Sequence, residues 1–237
     1  MDYGTLYLIP CPISDETAPW DVLPAANRDV MNSLDYFIVE NTRSARRFLS
    51  KAGVERLIGE QEFRELNEHT AAGREVEELV KPLLEGRSAG VISEAGVPGV
   101  ADPGALVVEA CHRRGIRVVP LVGPSSIILA VMASGLNGQS FAFNGYLPVK
   151  PPERAKAIRF FERRALTEGQ SQLFIEAPYR NGKLMEQLVQ TLGAETRLTV
   201  AVELTAPGGR IETRTAGEWR RRPLPELNKR PAIFIIG

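Results

Sequence analysis

Glu40, Glu176 and Glu203 each stand directly after a short apolar run, where a carboxylate at the end of a buried strand can face a cleft and act as a general base. Taken singly, each reads more simply as an exposed loop acid. The richest stretch of the chain is Ile92-Ser93-Glu94-Ala95-Gly96-Val97-Pro98-Gly99-Val100-Ala101-Asp102-Pro103-Gly104. Its glycines allow turns that side chains forbid, its prolines stiffen the path, and Ala95 and Ala101 let a ligand approach the backbone. Asp102-Pro103 reads as an N-cap followed by proline at the first helical position, so the loop is expected to end in free helix N–H groups. Gly123-Pro124-Ser125-Ser126 repeats the pattern after another strand, with Ser125 or Ser126 as cap. Two such loops at adjacent strand ends could line one crevice that offers N–H and hydroxyl groups to a polar small molecule.

Other chemistry-bearing residues are sparse. His69, in Asn67-Glu68-His69-Thr70, is a weaker acid–base candidate, and His112 sits in a helical pattern beside Arg113 and Arg114 as a solvated residue. Cys11 and Cys111 have no metal-ligand spacing, which excludes a zinc cluster or disulfide scaffold and leaves two reduced, inert thiols. Arg43, Arg46 and Arg47 share one side of a short helix with Lys51 one turn on, and Arg154, Lys156, Arg159, Arg163 and Arg164 form a second basic group. Each could hold phosphates or be a solvated face, and Arg220-Arg221-Arg222 could add to either reading. The first strand-like run is followed by Pro10-Cys11-Pro12-Ile13-Ser14, without the glycines of a dinucleotide fingerprint. Neither a Gly-Lys-Ser/Thr phosphate loop nor a Gly-x-Ser-x-Gly elbow occurs, so hydride transfer, NTP hydrolysis and common hydrolase chemistry lose ground.

These residues need an α/β frame. Apolar runs at Leu6–Ile9, Tyr36–Val39, Ala89–Ile92 and Val118–Leu121 alternate with helical patterns at Pro24–Leu34, Ser44–Lys51, Gly73–Glu85 and Gly104–Arg114, which predicts a mainly parallel sheet covered on both faces. Ligands then bind outside the carboxyl ends of the strands. A helix over Ser126–Ser134 leads to a different texture. Strands at Gln172–Ile175, Leu198–Val202, Arg210–Arg214 and Ala232–Ile236, with helices at Pro152–Ala165 and Asn181–Leu192, predict a more antiparallel, mixed sheet. The boundary falls near Gly123, giving an N-terminal α/β domain over 1–122 and a C-terminal one over 123–237. With 43% hydrophobic residues, each can bury a core, while 29 basic residues against 29 acidic ones leave any anionic partner to a local patch. Without a spanning apolar run or a basic leader, the chain reads as cytoplasmic.

In this order, the motifs resemble the tetrapyrrole methylase superfamily, and within it the branch that methylates a cytidine ribose 2′-hydroxyl in 16S rRNA. The resemblance rests on Leu6 to Ile13, on Glu40-Asn41-Thr42-Arg43, similar to Glu-Asp-Thr-Arg, and on Ser93 to Pro98, similar to Ser-Asp-Ala-Gly-Thr-Pro. Asp102-Pro103-Gly104, Pro120–Ser125, Ala133-Ser134-Gly135-Leu136, Gly145-Tyr146-Leu147-Pro148, Glu176-Ala177-Pro178-Tyr179-Arg180 and Glu203-Leu204-Thr205 follow in register. It implies two α/β domains with S-adenosylmethionine in the cleft between them, and a homodimer. Carried over, the cofactor contacts are Pro10, Glu94, Gly96, Gly99, Val100, Ala101, Ser125 and Ser126, then Ala177, Leu204, Pro231 and Ala232. Arg43, Arg46 and Arg47 would hold RNA phosphates, and Glu40 or Glu176 would be the base. Ser14, Asn41, Glu94, Val97, Ala101, Tyr179 and Arg230-Pro231 depart from the branch pattern, and the chain resembles a short form without a C-terminal extension. The acceptor thus stays open between ribose and a tetrapyrrole or other small molecule, and a non-catalytic module that binds cofactor and RNA is a third reading.

Overall fold

The computed structural model describes residues 2–66 and 73–237, so the His69 candidate lies outside the described residues. The chain divides into two compact units, Met1–Ser125 and Ser126–Gly237, three residues beyond the boundary expected at Gly123.

The first unit is built on five parallel strands in the order β3-β2-β4-β1-β5: β1 (Thr5–Ile9), β2 (Tyr36–Val39), β3 (Glu62–Glu65), β4 (Ala89–Ile92) and β5 (Arg117–Pro120). Alternation along each strand assigns its side chains to two faces. Ile9, Phe37, Val39 and Ile92 pack with α1 (Pro19–Val22), α2 (Asn27–Ser33) and α3 (Thr42–Ala52). Leu6, Tyr36, Ile38 and Val91 pack with α4 (Arg74–Leu84) and α5 (Gly104–Arg114) on the other. The chain leaves β1 and β2 toward the first face, and β4, slotted between them, leaves toward the second. That reversal opens a crevice at the carboxyl end of β4. Strand β3 carries no apolar alternation because it is a charged edge, Glu-Phe-Arg-Glu, of the kind that discourages further pairing.

The second unit has a mixed sheet, β6-β7-β10-β8-β9, formed by β6 (Phe141–Tyr146), β7 (Ser171–Ile175), β8 (Arg197–Val202), β9 (Arg210–Thr215) and β10 (Ala232–Ile236). Only the β6–β7 pair is parallel, as expected for strands joined through a helix, here α7 (Pro151–Glu168). Helix α6 (Ser126–Ser134) covers Leu173, Ala201, Ile233 and Ile235 on one face. On the other, α7, α8 (Asn181–Thr191) and α9 (Ala216–Arg220) cover Phe174, Val200, Val202 and Phe234. Helix α9 was not anticipated: it opens with a reciprocal cap between Thr215 and Glu218 and serves to bury Trp219, whose indole N–H donates to the Leu198 carbonyl at 3.0 Å.

Candidate functional site

In the first unit the loops after β1, β2 and β4 are tied to one another. Cys11 donates its N–H to the Gly96 carbonyl at 2.8 Å, an isolated bridge between the first and fourth strand ends. The Glu94 N–H donates to Glu40 Oε2 at 2.8 Å, and Ser44 Oγ donates to Glu94 Oε1 at 3.3 Å. Within the long loop, Gly96 and Ala101 adopt left-handed backbone, with φ of 71° and 60°. The first uses glycine for that purpose. The second carries a methyl group there, a modest local cost. Beside it, a Cβ on Gly123 would stand 2.3 Å from the Pro10 ring, so only glycine lets the loop after β5 pass the loop after β1.

Asp102 differs from its expected cap. Helix α5 begins at Gly104 with Pro103 preceding it, and the Asp102 carboxylate accepts from Gly99 N at 2.9 Å and from Gly104 N at 2.7 Å. It braces the loop against the helix start instead of extending the helix by a turn. Glu40, Ser93 and Asp102 line a cavity of about 10 Å³, room for at most one water. Burial raises the Glu40 carboxyl above its ordinary range, opposed by the Glu94 N–H and reinforced by the Asp102 and Glu94 charges. Burial also raises Asp102, against its two backbone donors. Glu40→Gln keeps an acceptor for the Glu94 N–H and removes the buried charge. Because the folded carboxyl titrates above the unfolded one, its ionisation destabilises the wild type as pH rises through that raised value; the variant should melt higher at pH 7, with the gain vanishing at acidic pH in denaturation scans.

Next to the loop, Gly99 and Val100 also line an open apolar pocket of about 380 Å³ completed by Leu8, Val97, Pro98 and residues of α5 and β5. The α3 arginines are less available than their spacing suggested. Arg47 is paired with Asp15 at 3.0 Å, and Arg46 lies 5.0 Å over the Phe63 ring, while Arg43 sits exposed at the helix start capped by Asn41.

In the second unit, Ala177, Leu204, Pro231 and Ala232 fall at one end of the sheet. Ile175 pairs with Ile233 and Val202 with Ala232, and Glu203 N donates to the Pro231 carbonyl at 3.0 Å. Glu203, at φ 48°, pairs with Arg230 at 2.6 Å, which holds its carboxyl below the usual range. Glu176 is a fully buried side chain whose Oε1 accepts from Arg180 Nη2 at 2.6 Å and from its neighbour Ala177 N at 2.8 Å, while Oε2 is buried without a partner. The structure thus makes Glu176 the anchor of Arg180. Arg180 in turn donates to the Tyr179 hydroxyl at 3.2 Å, leaving that ring 65% exposed. Sequence reading named Tyr179 and Arg180 within the motif but gave neither a role; the i, i+4 spacing of Glu176 and Arg180 was the available signal.

The remaining candidates take structural places. Arg220 donates to the Val189 carbonyl at 2.9 Å, Arg221 to the Gly217 carbonyl at 3.2 Å, and Arg222 pairs with Glu212 of β9 at 3.2 Å, so each of these exposed arginines has a local partner. Both cysteines are buried, and burial pushes the Cys111 thiol up to about 11 and Cys11 further, which keeps both inert. Among the described residues no metal-binding cluster is present, and no helix is long and apolar enough to cross a membrane.

Residues 6–219 match the family model described as tetrapyrrole (corrin/porphyrin) methylases. The chain is 31% identical over 98% of its length to "Ribosomal RNA small subunit methyltransferase I" of Xylella fastidiosa, covering 80% of that protein. It is 32% identical, again over 98% of its length, to the Escherichia coli O157:H7 protein of the same name, covering 77% of it. Among solved structures, that titled "Crystal structure of the methyltransferase CobJ" superimposes with a TM-score of 0.65 at 16% identity, over 99% of this chain and 94% of that one. That last likeness is one of fold.

Proposed function

The chain belongs to the tetrapyrrole (corrin/porphyrin) methylases and is a methyltransferase, and from that premise we propose that it transfers a methyl group from S-adenosylmethionine to a cytidine ribose 2′-hydroxyl of small-subunit rRNA. The near full-length similarity to rRNA methyltransferases carries this reading, because the tetrapyrrole enzymes are related at the level of fold alone.

The residues of the first unit suit the cofactor. Gly99 and Val100 border an apolar pocket of about 380 Å³, a volume in the range of small-molecule sites. Gly96 and Ala101 turn the loop through left-handed backbone, and Val100 stands exposed at its surface. Pro10, Glu94, Gly96, Gly99, Val100, Ala101, Ser125, Ser126, Ala177, Leu204, Pro231 and Ala232 would hold the cofactor. When bound, the cofactor supplies a methyl group on a sulfonium, a leaving group that needs little assistance. The protein's task is therefore alignment of the hydroxyl and exclusion of water. Glu40, at the end of β2, would take the ribose proton, whereas the buried Glu176 orients Arg180. Arg43 serves an RNA phosphate, and Arg46 and Arg47 join it once released from Phe63 and Asp15.

The proposal includes a homodimer working in the cytoplasm. Methyl transfer from labelled cofactor to small ribosomal subunits lacking the modification, followed by nuclease digestion, should yield labelled 2′-O-methylcytidine. Cofactor binding without labelling of the subunits would remove the rRNA reading, and labelling of a tetrapyrrole instead would replace it.

A further inference from the structure

Helix α7 carries eight ionisable groups with very different surroundings. Arg154 is buried against Gln187, and Arg164 pairs with Glu168 at 3.0 Å. The acids of the helix are all engaged: Glu153 with Lys150 at 3.7 Å, Glu168 with Arg164, and Glu162 turned inward to accept from Gly193 N and Thr196 Oγ1 at 2.6 Å each. Lys156, Arg159 and Arg163 remain, all exposed and without an ion pair among the described residues. Their i, i+3 and i+7 spacing puts them along one face over about 10 Å of helix. Like charges at these spacings repel and weaken the helix, so the arrangement calls for an outside partner.

Phe160 sits in the same face, 46% exposed. Its ring meets Phe161 edge-on at 5.2 Å, and Phe161 meets the core ring of Phe174 at 5.1 Å. The exposed ring is thereby braced from behind and open in front. Cations flanking a rigid aromatic ring are the combination that tracks a nucleic-acid strand, with phosphates on the cations and an unpaired base on the ring. In a chain whose charges sum to zero, this local excess is specific.

We propose that the outer face of α7 is an RNA-strand track, in which Lys156, Arg159 and Arg163 hold phosphates and Phe160 stacks on an unpaired base, outside the residues assigned to methyl transfer. It rests on the rRNA reading and adds a second contact to it. The probe is binding of the full chain to unmodified small ribosomal subunits across about 50 to 200 mM salt. The Lys156→Ala/Arg159→Ala/Arg163→Ala variant should lower the slope of log affinity against log salt by about 2 to 3. Phe160→Ala should weaken binding about tenfold and leave the slope unchanged. Arg159→Lys/Arg163→Lys should keep the wild-type slope, and all variants should keep wild-type cofactor affinity and kcat, with the loss appearing in KM. An unchanged slope and KM in the triple variant, while the wild type binds and methylates subunits, overturns the track alone. A change of oligomeric state with an unchanged slope overturns it in favour of a contact between copies. If the wild type neither binds nor labels subunits, the rRNA reading itself fails.

Discussion

Gly96→Trp should leave the protein folded and lower its affinity for S-adenosylmethionine by at least roughly 100-fold, about 2.7 kcal/mol. The nearest atom to a Cβ at this position is the Pro124 carbonyl at 3.5 Å, ordinary contact, so the first atom of a side chain is accommodated. The left-handed φ of 71° costs a non-glycine residue about 1 to 2 kcal/mol, too little to unfold a stable chain. What the indole would occupy is the mouth of the loop that the proposal assigns to the cofactor. Calorimetric titration with S-adenosylmethionine, alongside circular dichroism, reads both halves of the expectation. Gly96→Asn separates strain from bulk, because asparagine tolerates left-handed backbone: it should bind nearly as the wild type does. A folded tryptophan variant with unchanged affinity would show that the loop does not hold the cofactor.

Trp219→Ala should cost about 3 to 5 kcal/mol and lower the melting temperature by roughly 10 °C or more. The side chain is 2% exposed, among the largest fully enclosed in the molecule, and its N–H satisfies the Leu198 carbonyl inside the second unit's core. Alanine removes both, leaving a cavity beneath α9 and a buried carbonyl without its donor. Trp219→Phe retains most of the volume and should cost about 1 kcal/mol. The chain's other tryptophan, Trp20, lies in the first unit, packed at the edge of its core. Its fluorescence in the Trp219→Ala variant therefore reports the first unit, while circular dichroism reports the whole. Equal melting of wild type and Trp219→Ala would show that this cluster does not hold the second unit together.

Much of the frame was legible because it is written in strong periodicity. The runs Tyr36–Val39, Ala89–Ile92 and Ala232–Ile236 are strands over those same bounds, and Gly104–Arg114 and Ser126–Ser134 are helices over theirs. Buried strands and helices flanked by glycine declare themselves locally. Strand β3 and helix α9 did not, since a charged four-residue edge and a five-residue helix gain their stability from neighbours distant in sequence. The first helical pattern, read as Pro24–Leu34, shortens to α2 at Asn27–Ser33, and the four-residue α1 at Pro19–Val22, which precedes it, was not anticipated. At the candidate site, strand ends placed Glu40, Glu94 and Gly96 in one neighbourhood. The pairing of each arginine was not readable, because an ion pair such as Arg47 with Asp15 joins segments 32 residues apart and depends on geometry rather than pattern.

The long loop keeps its path through main-chain ties: Cys11 N–H to the Gly96 carbonyl, Glu94 N–H to Glu40, and the Gly99 and Gly104 N–H groups to Asp102. In the first two, the loop contributes only the peptide group that every non-proline residue carries, and in the third Asp102 is the one loop side chain required. A side chain that makes none of these ties, such as that of Val97, is thus free to change without redrawing the loop. A lineage can then retain one binding surface while its acceptor changes, with new specificity accumulating as substitutions that leave the inherited backbone in place.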